Sequence, residues 1–217
     1  AFLKADYEAG EWIRKDPVAA VDLMEKWTGV EKEVLYIYFS KGGHLTLDPT
    51  IKPKWIEALK TDHGVLVKEK AIPPLDFDEW ITESYIKAAY RDLGKDYDKE
   101  KNDIVDPAVA NANLPMEIWH ARDGISTYQT LPEFLSALSE LQQTGAKLNA
   151  TYVYDKTTGL KLFGKTAFFV KTADGYATFL RKPDADAYAS KMKGSVMGLD
   201  DAVAGLGTSD SNLVAAQ

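Results

Sequence analysis

The sequence of 217 residues contains no cysteine and only three histidines. A chain without cysteine has no disulfide, no thiolate nucleophile and no cysteine–zinc site, although this composition identifies no compartment. No window approaches the roughly 18 apolar residues that a membrane span needs. Neither a phosphate-binding P-loop nor a nucleophile-elbow motif occurs. We therefore predict a protein that is not an enzyme and has no transmembrane segment.

Runs of basic residues are also absent. Asp and Glu number 33 against 26 Lys and Arg, so the formal net charge is −7. An acidic surface argues against nucleic acid and against anionic membrane surfaces as partners. The 45% hydrophobic and 27% charged residues are typical of a globular protein. The length suits one large domain or two small ones.

Residues 1–99 are predicted to form a helical module. FLKADYEAGEWIRK places Tyr7 and Ile13 on one stripe of an amphipathic helix. Asp16 and Pro17 then supply an N-cap followed by proline at the first helical position. Further helices are predicted in EKEVLYIYFS, in IKPKWIEALKTDHG with a start at Asp48 or Thr50, and in PPLDFDEWITESYIKAAYRDLG.

Residues 100–112 are assigned to a linker, because the stretch GKDYDKEKNDIVDP is rich in charge and turn formers and has no periodicity. After this stretch the hydrophobic pattern changes from that of helices to that of strands. MEIWHA and ISTYQT flank Asp123-Gly124, a hairpin signal, and LPEFLSALSELQQTG is an amphipathic helix. Residues 113–206 are predicted to form an antiparallel sheet of four to six strands with helices on one face, an α+β fold. The tail 207–217 is predicted to be mobile.

In residues 113–206 a hairpin with DG at its turn is followed by LPEFLSAL, YVYDKTTG, KTAFFVKTADGYATFLRKPDADAYASKMKG and SVMGLDDAVAGL. In this order the segments resemble the nitrous-oxide-reductase accessory lipoprotein (NosL-like) family. The resemblance implies a periplasmic protein that handles Cu(I). Where that family carries a Met-Gly pair and a nearby histidine, this sequence has Thr172, Ala173 and Asp174, and the family's N-terminal cysteine motif is missing. These departures argue against copper binding by this sequence.

The segments YEAGEWIRKDPVAAVDLMEKWTGV and PLDFDEWITESYIKAAYRDLG are separated by a helix pair. They resemble the last part of a nitrate/sulfonate/taurine-type (SsuA-like) solute-binding protein of ABC importers. The resemblance implies two lobes that clasp a small oxyanion, sulfonate or similar organic solute. The family's earlier βα units are not seen and the chain begins at Ala1, so we expect a fragment of a longer polypeptide. The expected partners are upstream lobes or a companion chain, with an ABC permease.

Met116 and His120 supply a thioether and an imidazole, the ligand types of a soft-metal site. In a regular strand they share a face but lie about 13 Å apart, since each residue rises about 3.3 Å. Metal–ligand bonds measure about 2.0–2.3 Å, so both cannot hold one ion. The alternative interpretation as copper ligands stands beside a structural one, with Met116 in the core and His120 at the strand end. Met192 and Met197 are predicted to fill gaps in the core.

The remaining polar motifs have structural explanations. His44 is predicted to be a solvated loop residue, and His63 to lie at a helix C-terminus, where it favours the helix dipole. The segment DYDKEKND lacks the glycine and terminal glutamate of an EF-hand loop, which disfavours calcium. Acidic residues around a helix start are interpreted as caps and dipole partners: Asp76, Asp78, Glu79 and Glu83.

Aromatic residues are abundant in the helical half. They are numerous for a module of about a hundred residues, so part of their apolar surface is expected to stay uncovered. Uncovered apolar surface indicates an interface. We therefore expect this half to pack on upstream lobes or on a partner chain. The residues are Tyr7, Trp12, Trp27, Tyr36, Tyr38, Phe39, Trp55 and Trp80.

Together these observations predict a non-enzymatic periplasmic binding protein of an ABC-type uptake or delivery system. One alternative is a copper chaperone for metalloenzyme assembly in the periplasm. A second alternative is an accessory interaction subunit that has neither site. Solute binding by this chain would require upstream sequence, whereas the copper chaperone would bind Cu(I) through residues 113–206 alone.

Overall fold

A computed structural model of the protein describes residues 1–103, 106–122 and 124–206. Over these residues the α+β class is confirmed, with helices in both halves and strands in the C-terminal half. The tail 207–217, predicted to be mobile, and the turn residue Asp123 lie outside the described residues. Within the described ranges, none of the helices is long and apolar enough to cross a membrane.

The elements run from a series of helices into a mixed α/β region. The helices are α1 (Phe2–Lys15), α2 (Pro17–Thr28), α3 (Lys32–Phe39), α4 (Pro53–Lys68), α5 (Phe77–Trp80), α6 (Ser84–Asp92), α7 (Tyr97–Asn102), α8 (Pro107–Ala110), α9 (Leu131–Gln143), α10 (Lys182–Met192) and α11 (Leu199–Ala204). The strands are β1 (Met116–His120), β2 (Gly124–Tyr128), β3 (Leu148–Tyr154), β4 (Lys161–Phe163), β5 (Phe168–Thr172), β6 (Gly175–Phe179) and β7 (Ser195–Met197).

The chain divides into two compact units, each built from two segments. The first unit combines Ala1–Asp16 with Thr46–Val105, and the second combines Pro17–Leu45 with Asp106–Gln217, each over its described residues. Helices α2 and α3 therefore group with the strands and not with the other N-terminal helices. This division by packing differs from the sequence-based boundaries at residues 99 and 113.

The first unit has a small aromatic core. The rings of Tyr7 and Tyr90 meet edge to face with centroids 5.2 Å apart, and those of Tyr90 and Tyr97 do so at 5.3 Å. Ile86 completes the buried group. Because Tyr97 belongs to α7, the charged segment that has no periodicity in the sequence nevertheless contributes a ring to this core.

Helix α4 begins at Pro53, later than the predicted start at Asp48 or Thr50. Lys52 is extended, with ψ at 135°, because the proline ring disfavours a helical conformation in the residue before it. The helix continues through Gly64 and has no buried residue. Its apolar side chains therefore keep part of their surface exposed.

The second unit contains two antiparallel sheets. One has the strand order β2-β1-β3-β4, and the other has the order β6-β5-β7. The predicted hairpin is confirmed, since β1 pairs with β2 from Met116–Tyr128 to His120–Gly124. The strands predicted to form one sheet are thus shared between two. The chain passes from one sheet to the other at a 3-10 turn, Gly164–Thr166, between β4 and β5.

Both faces of the four-stranded sheet are covered. Ile118 and Val153 lie in a core with helices α9 and α11, while their sequence neighbours Trp119 and Tyr152 lie in a second core with α2 and α3. Neighbouring residues of a strand point to opposite faces, so each strand serves both cores. The predicted helical layer is present as α9 and α11, and α2 and α3 add a layer on the other face. The buried members of the second core are Val21, Tyr36, Ile37, Trp119 and Tyr152.

Helix α9 starts at a capping box. The backbone N–H of Glu133 donates to Oγ1 of Thr130 at 3.3 Å, and the backbone N–H of Thr130 donates to Oε2 of Glu133 at 3.1 Å. This reciprocal pair satisfies two amide groups at the helix start. A local sequence signal therefore determines where this helix begins.

Candidate ligand-binding cleft

The first unit contains an open cleft of about 470 Å³ beside α1. Helix α1 contributes three side chains at spacings of four and three residues, which place them on one helix face. The loop before α4, the first turn of α4 and the end of α7 supply the rest. The lining residues are Tyr7, Glu11, Arg14, Thr46, Leu47, Asp48, Pro49, Lys52, Trp55, Glu100 and Asp103.

Arg14 is engaged on both sides of its guanidinium group. It donates to Oε1 of Glu11 from Nη2 at 2.5 Å and from Nε at 3.2 Å. Its Nη1 donates to the carbonyl oxygen of Leu47 at 2.8 Å. The hydrogen bond from Arg14 holds the pKa of Glu11 below its usual value. Arg14 thus anchors the loop to α1 and uses three of its five N–H donors within the protein.

Lys52 is buried and uses all three of its N–H donors. Its Nζ lies 2.8 Å from Oδ2 of Asp48 and donates to the carbonyl oxygens of Glu100 and Asp103 at 2.6 and 2.9 Å. Burial alone would raise the pKa of Asp48, but hydrogen bonds from Lys52 and Thr50 hold it below its usual value. A cation on the last carbonyls of a helix is favourable, so Lys52 ties the end of α7 to the start of α4.

The charges that line the cleft do not balance. Four carboxylates, of Glu11, Asp48, Glu100 and Asp103, face two cations, of Arg14 and Lys52. Both cations already have partners, whereas Glu100 and Asp103 form no salt bridge among the residues that the structure describes. A third cation, Lys95, has its Nζ 5.5 Å from the centroid of the Tyr7 ring and interacts electrostatically with Glu11 and Glu100. The cleft is therefore acidic, with aromatic walls formed by Tyr7 and Trp55.

Met116 and His120 lie at opposite ends of β1, as the strand prediction requires. Met116 is buried in the core, and Nε2 of His120 lies 3.0 Å from Oγ of Ser126 on the neighbouring strand. The strand rise separates the two residues by about 13 Å. Within the described ranges, no group of three or more His, Cys, Asp or Glu side chains could hold a metal ion.

The other two histidines have partners that the sequence does not indicate. Nε2 of His44 lies 2.7 Å from the carbonyl oxygen of Lys161, so this side chain is held and not simply solvated. His63 packs edge to face against Phe77 at 5.2 Å. The prediction that His63 ends a helix is wrong, because α4 continues to Lys68 and the histidine lies inside it.

The predicted caps are confirmed in part. The side chain of Asp76 accepts from the backbone N–H groups of Asp78 and Glu79 at the start of α5. Glu83 makes no cap and instead forms ion pairs with Lys87 and Lys101. Met197 packs partly buried against the core of the second unit, and Met192 is the last residue of α10.

A buried ionic network lies in the second unit. Nζ of Lys161 donates to Oε2 of Glu117 at 2.6 Å and to Oγ of Ser40 at 2.7 Å, and the hydroxyl of Tyr36 donates to Oε1 of Glu117 at 3.2 Å. Nζ also lies 4.6 Å from the centroid of the Tyr36 ring. Burial lowers the pKa of Lys161 against the opposing effect of Glu117, and burial raises the pKa of Tyr36. The network joins α3 to β1 and β4, a structural role.

The sequence analysis did not single out Arg14, Lys52, Glu117 or Lys161. Two signals were available, namely the spacing of Glu11 to Arg14 and that of Asp48 to Lys52, both of which suit helical ion pairs. Nothing in a single sequence marks Lys161 as buried, because lysine in a strand usually faces solvent.

No protein-family model matches the chain, and no curated protein matches it. Among solved structures, the crystal structure of the copper chaperone NosL from Shewanella denitrificans is similar at 18% identity and a TM-score of 0.33. The match covers 41% of this chain and 79% of that chain. A similarity of this size carries no functional argument. The resemblance of residues 1–99 to solute-binding proteins finds no support in these comparisons and stays a prediction.

Proposed function

We propose that the protein is a non-enzymatic binding protein and that the cleft beside α1 binds a small organic solute with a cationic group. The observation that carries this proposal is the charge imbalance of the cleft, which is lined by four acidic and two cationic residues. A volume of about 470 Å³ lies in the range of small-molecule sites. An acidic cleft with aromatic walls suits amines, guanidines and quaternary ammonium ions.

The same charges disfavour the oxyanion or sulfonate that the family resemblance implies. An anion would need an unoccupied cationic donor, but Arg14 is paired with Glu11, and Lys52 is paired with Asp48 and two carbonyls. Lys95, beside Tyr7, already interacts with Glu11 and Glu100. It would also meet the carboxylates of Glu100 and Asp103. A cationic group, in contrast, would form a salt bridge with acids that have none among the described residues.

The lining chemistry favours binding over catalysis. Two of its four acids, Glu11 and Asp48, pair with Arg14 and Lys52 in ion pairs that fix the loop and the start of α4. The lining residues include no serine, cysteine or histidine, and Lys52 is fully engaged in hydrogen bonds. Delivery of the solute at the bacterial envelope is the wider role we propose, and it rests on the family resemblance of residues 1–99 alone.

Calorimetric titration at low ionic strength tests the proposal. Putrescine, agmatine and choline are compared with taurine, methanesulfonate and nitrate. We expect the amines to bind and the anions not to bind. The double variant E100Q/D103N should weaken amine binding about tenfold, since each partly exposed charge contact is worth about 0.5–1 kcal/mol. The matched control is D62N, which removes an exposed acid of α4. Binding of the anions without the amines would overturn the assignment.

A second candidate function, Cu(I) handling, rests on Met116. This residue lines a smaller cleft of about 220 Å³ in the second unit, next to Asn111, Tyr154 and Tyr176. Thioether sulfur suits Cu(I). His120 does not line this cleft, so Met116 would act without it. Copper handling is also what the solved NosL structure is named for, but the candidate rests here on Met116.

Competition with bicinchoninate for Cu(I) tests this second candidate. The volume-conserving variant M116L should lose affinity for Cu(I) while keeping the fold, because leucine fills a similar space. The control variant M192L changes a methionine at the end of α10. Equal affinity in the two variants would exclude Met116 as a ligand.

A further inference from the structure

An apolar groove of about 410 Å³ lies in the first unit, between the start of α4 and the segment after α5. Two indole rings and several aliphatic side chains form its walls, and two threonines are its only polar residues. The lining residues are Thr50, Ile51, Trp55, Ile56, Leu59, Trp80, Ile81 and Thr82.

The groove leaves large apolar side chains in contact with solvent. Leu59 is 44% exposed and Trp80 is 59% exposed. Helix α4, which supplies one wall, has no buried residue along its 16 positions. A concave apolar surface of this kind marks a binding site more often than a solvated helix face does.

Trp55 lines both the acidic cleft and the apolar groove. Nζ of Lys52, which lines the cleft and not the groove, lies 5.7 Å from the centroid of the Trp55 ring. The loop before α4 also contributes to both surfaces. Asp48 and Pro49 line the cleft, whereas Thr50 and Ile51 line the groove. One molecule can therefore place a charged end in the cleft and an apolar body in the groove.

We propose that the solute is an amphiphilic organic amine, with its cationic group in the cleft and its alkyl or aryl body in the groove beside Trp80. This proposal rests on the proposed function and specifies, in addition, the apolar part of the ligand. The shared lining residue Trp55 places the two surfaces next to each other, which favours one bound molecule over a protein partner, because a partner would cover the groove without needing the acidic end.

A series of n-alkylamines from propylamine to octylamine tests the proposal by calorimetric titration. We expect affinity to rise about fourfold with each methylene group buried in the groove, until the groove is filled. The variants W80A and L59S should flatten this dependence on chain length and leave the affinity for propylamine unchanged. The control V65A changes an exposed apolar residue of α4 that lines neither surface.

The outcomes separate this inference from the proposed function. If propylamine binds but longer amines bind no more tightly, the apolar subsite is excluded and the acidic cleft stands. If no amine binds, the proposed function fails and the amphiphile fails with it. If sedimentation shows self-association that W80A and L59S both abolish, a second copy covers the groove and the subsite is overturned.

Discussion

Nζ of Lys161 lies 2.6 Å from Oε2 of Glu117, and both side chains are withdrawn from solvent. Transfer of two charges out of water is costly, so such a pair contributes little over apolar residues of the same volume. Removal of one partner is different, because it leaves the other charge buried without compensation. Mutation of Lys161 alone, or of both residues, therefore tests how this buried ion pair contributes to stability.

We expect K161M to lower the free energy of unfolding by about 3–5 kcal/mol, because Glu117 would remain buried without its ionic partner. Urea denaturation measures the change. The control K165M replaces an exposed lysine of the neighbouring 3-10 turn and should alter stability by less than about 0.5 kcal/mol. The double variant K161M/E117L should recover most of the loss. A K161M protein as stable as the wild type would contradict the buried-charge argument.

The second unit should need α2 and α3 to fold. A fragment of residues 113–217 would expose Trp119 and Tyr152, which are buried in the core shared with those helices. We expect it to bind a dye for apolar surface and to unfold without cooperativity. A single chain that links residues 17–45 to residues 106–217 should unfold cooperatively in urea. Cooperative unfolding of the shorter fragment would instead support the sequence-based boundary at residue 113.

The ion pair of Asp48 and Lys52 should make stability depend on pH. The pKa of Asp48 is lowered in the folded state, so the ionised carboxylate stabilises the fold. This stabilisation is present above the unfolded pKa of about 3.9 and is lost as pH falls through the folded value. We expect D48N to cost about 1–2 kcal/mol at pH 7, since hydrogen bonds to a charged group are lost.

Urea denaturation of wild type and D48N between pH 7 and pH 2 checks this prediction. The difference between the two proteins should shrink below about pH 4, because the wild-type carboxyl then becomes neutral as well. The control D62N removes an exposed carboxylate of α4 and should follow the wild type. A difference that stays constant over the whole range would show that Asp48 acts through packing and not through its charge.

The capping box of α9 should be a local determinant of stability. We expect T130A to cost about 1 kcal/mol, because the backbone N–H of Glu133 loses its acceptor at the helix start. Thermal unfolding followed by circular dichroism measures the loss. Exposed Ser136 in the same helix supplies the control S136A, which should be neutral or slightly stabilising because alanine favours helix. Equal stability of T130A and wild type would mean that packing alone positions α9.

Elements with strong local signals were predicted well. The hairpin of β1 and β2 follows from Gly124, which has φ of +77° at the end of the turn. Helix α9 follows from its amphipathic pattern, and α2 from Pro17 at its first position. The charged segment around Tyr97 was assigned to a linker, although Tyr97 belongs to the core of the first unit. The sequence does not show this, because the residues that Tyr97 packs with lie on α1 and α6 and leave no local pattern.

The sequence by itself determined the α+β class, the switch from helices to strands and the two faces of β1, since these depend on residues within a few positions of one another. Only the tertiary structure decided that α2 and α3 cover the sheet, that Lys161 is buried with Glu117 and that Lys52 ties α7 to α4. The physical reason is distance along the chain. Local propensity and periodicity are read from neighbours, whereas burial and charge pairing are set by side chains from segments far apart in sequence.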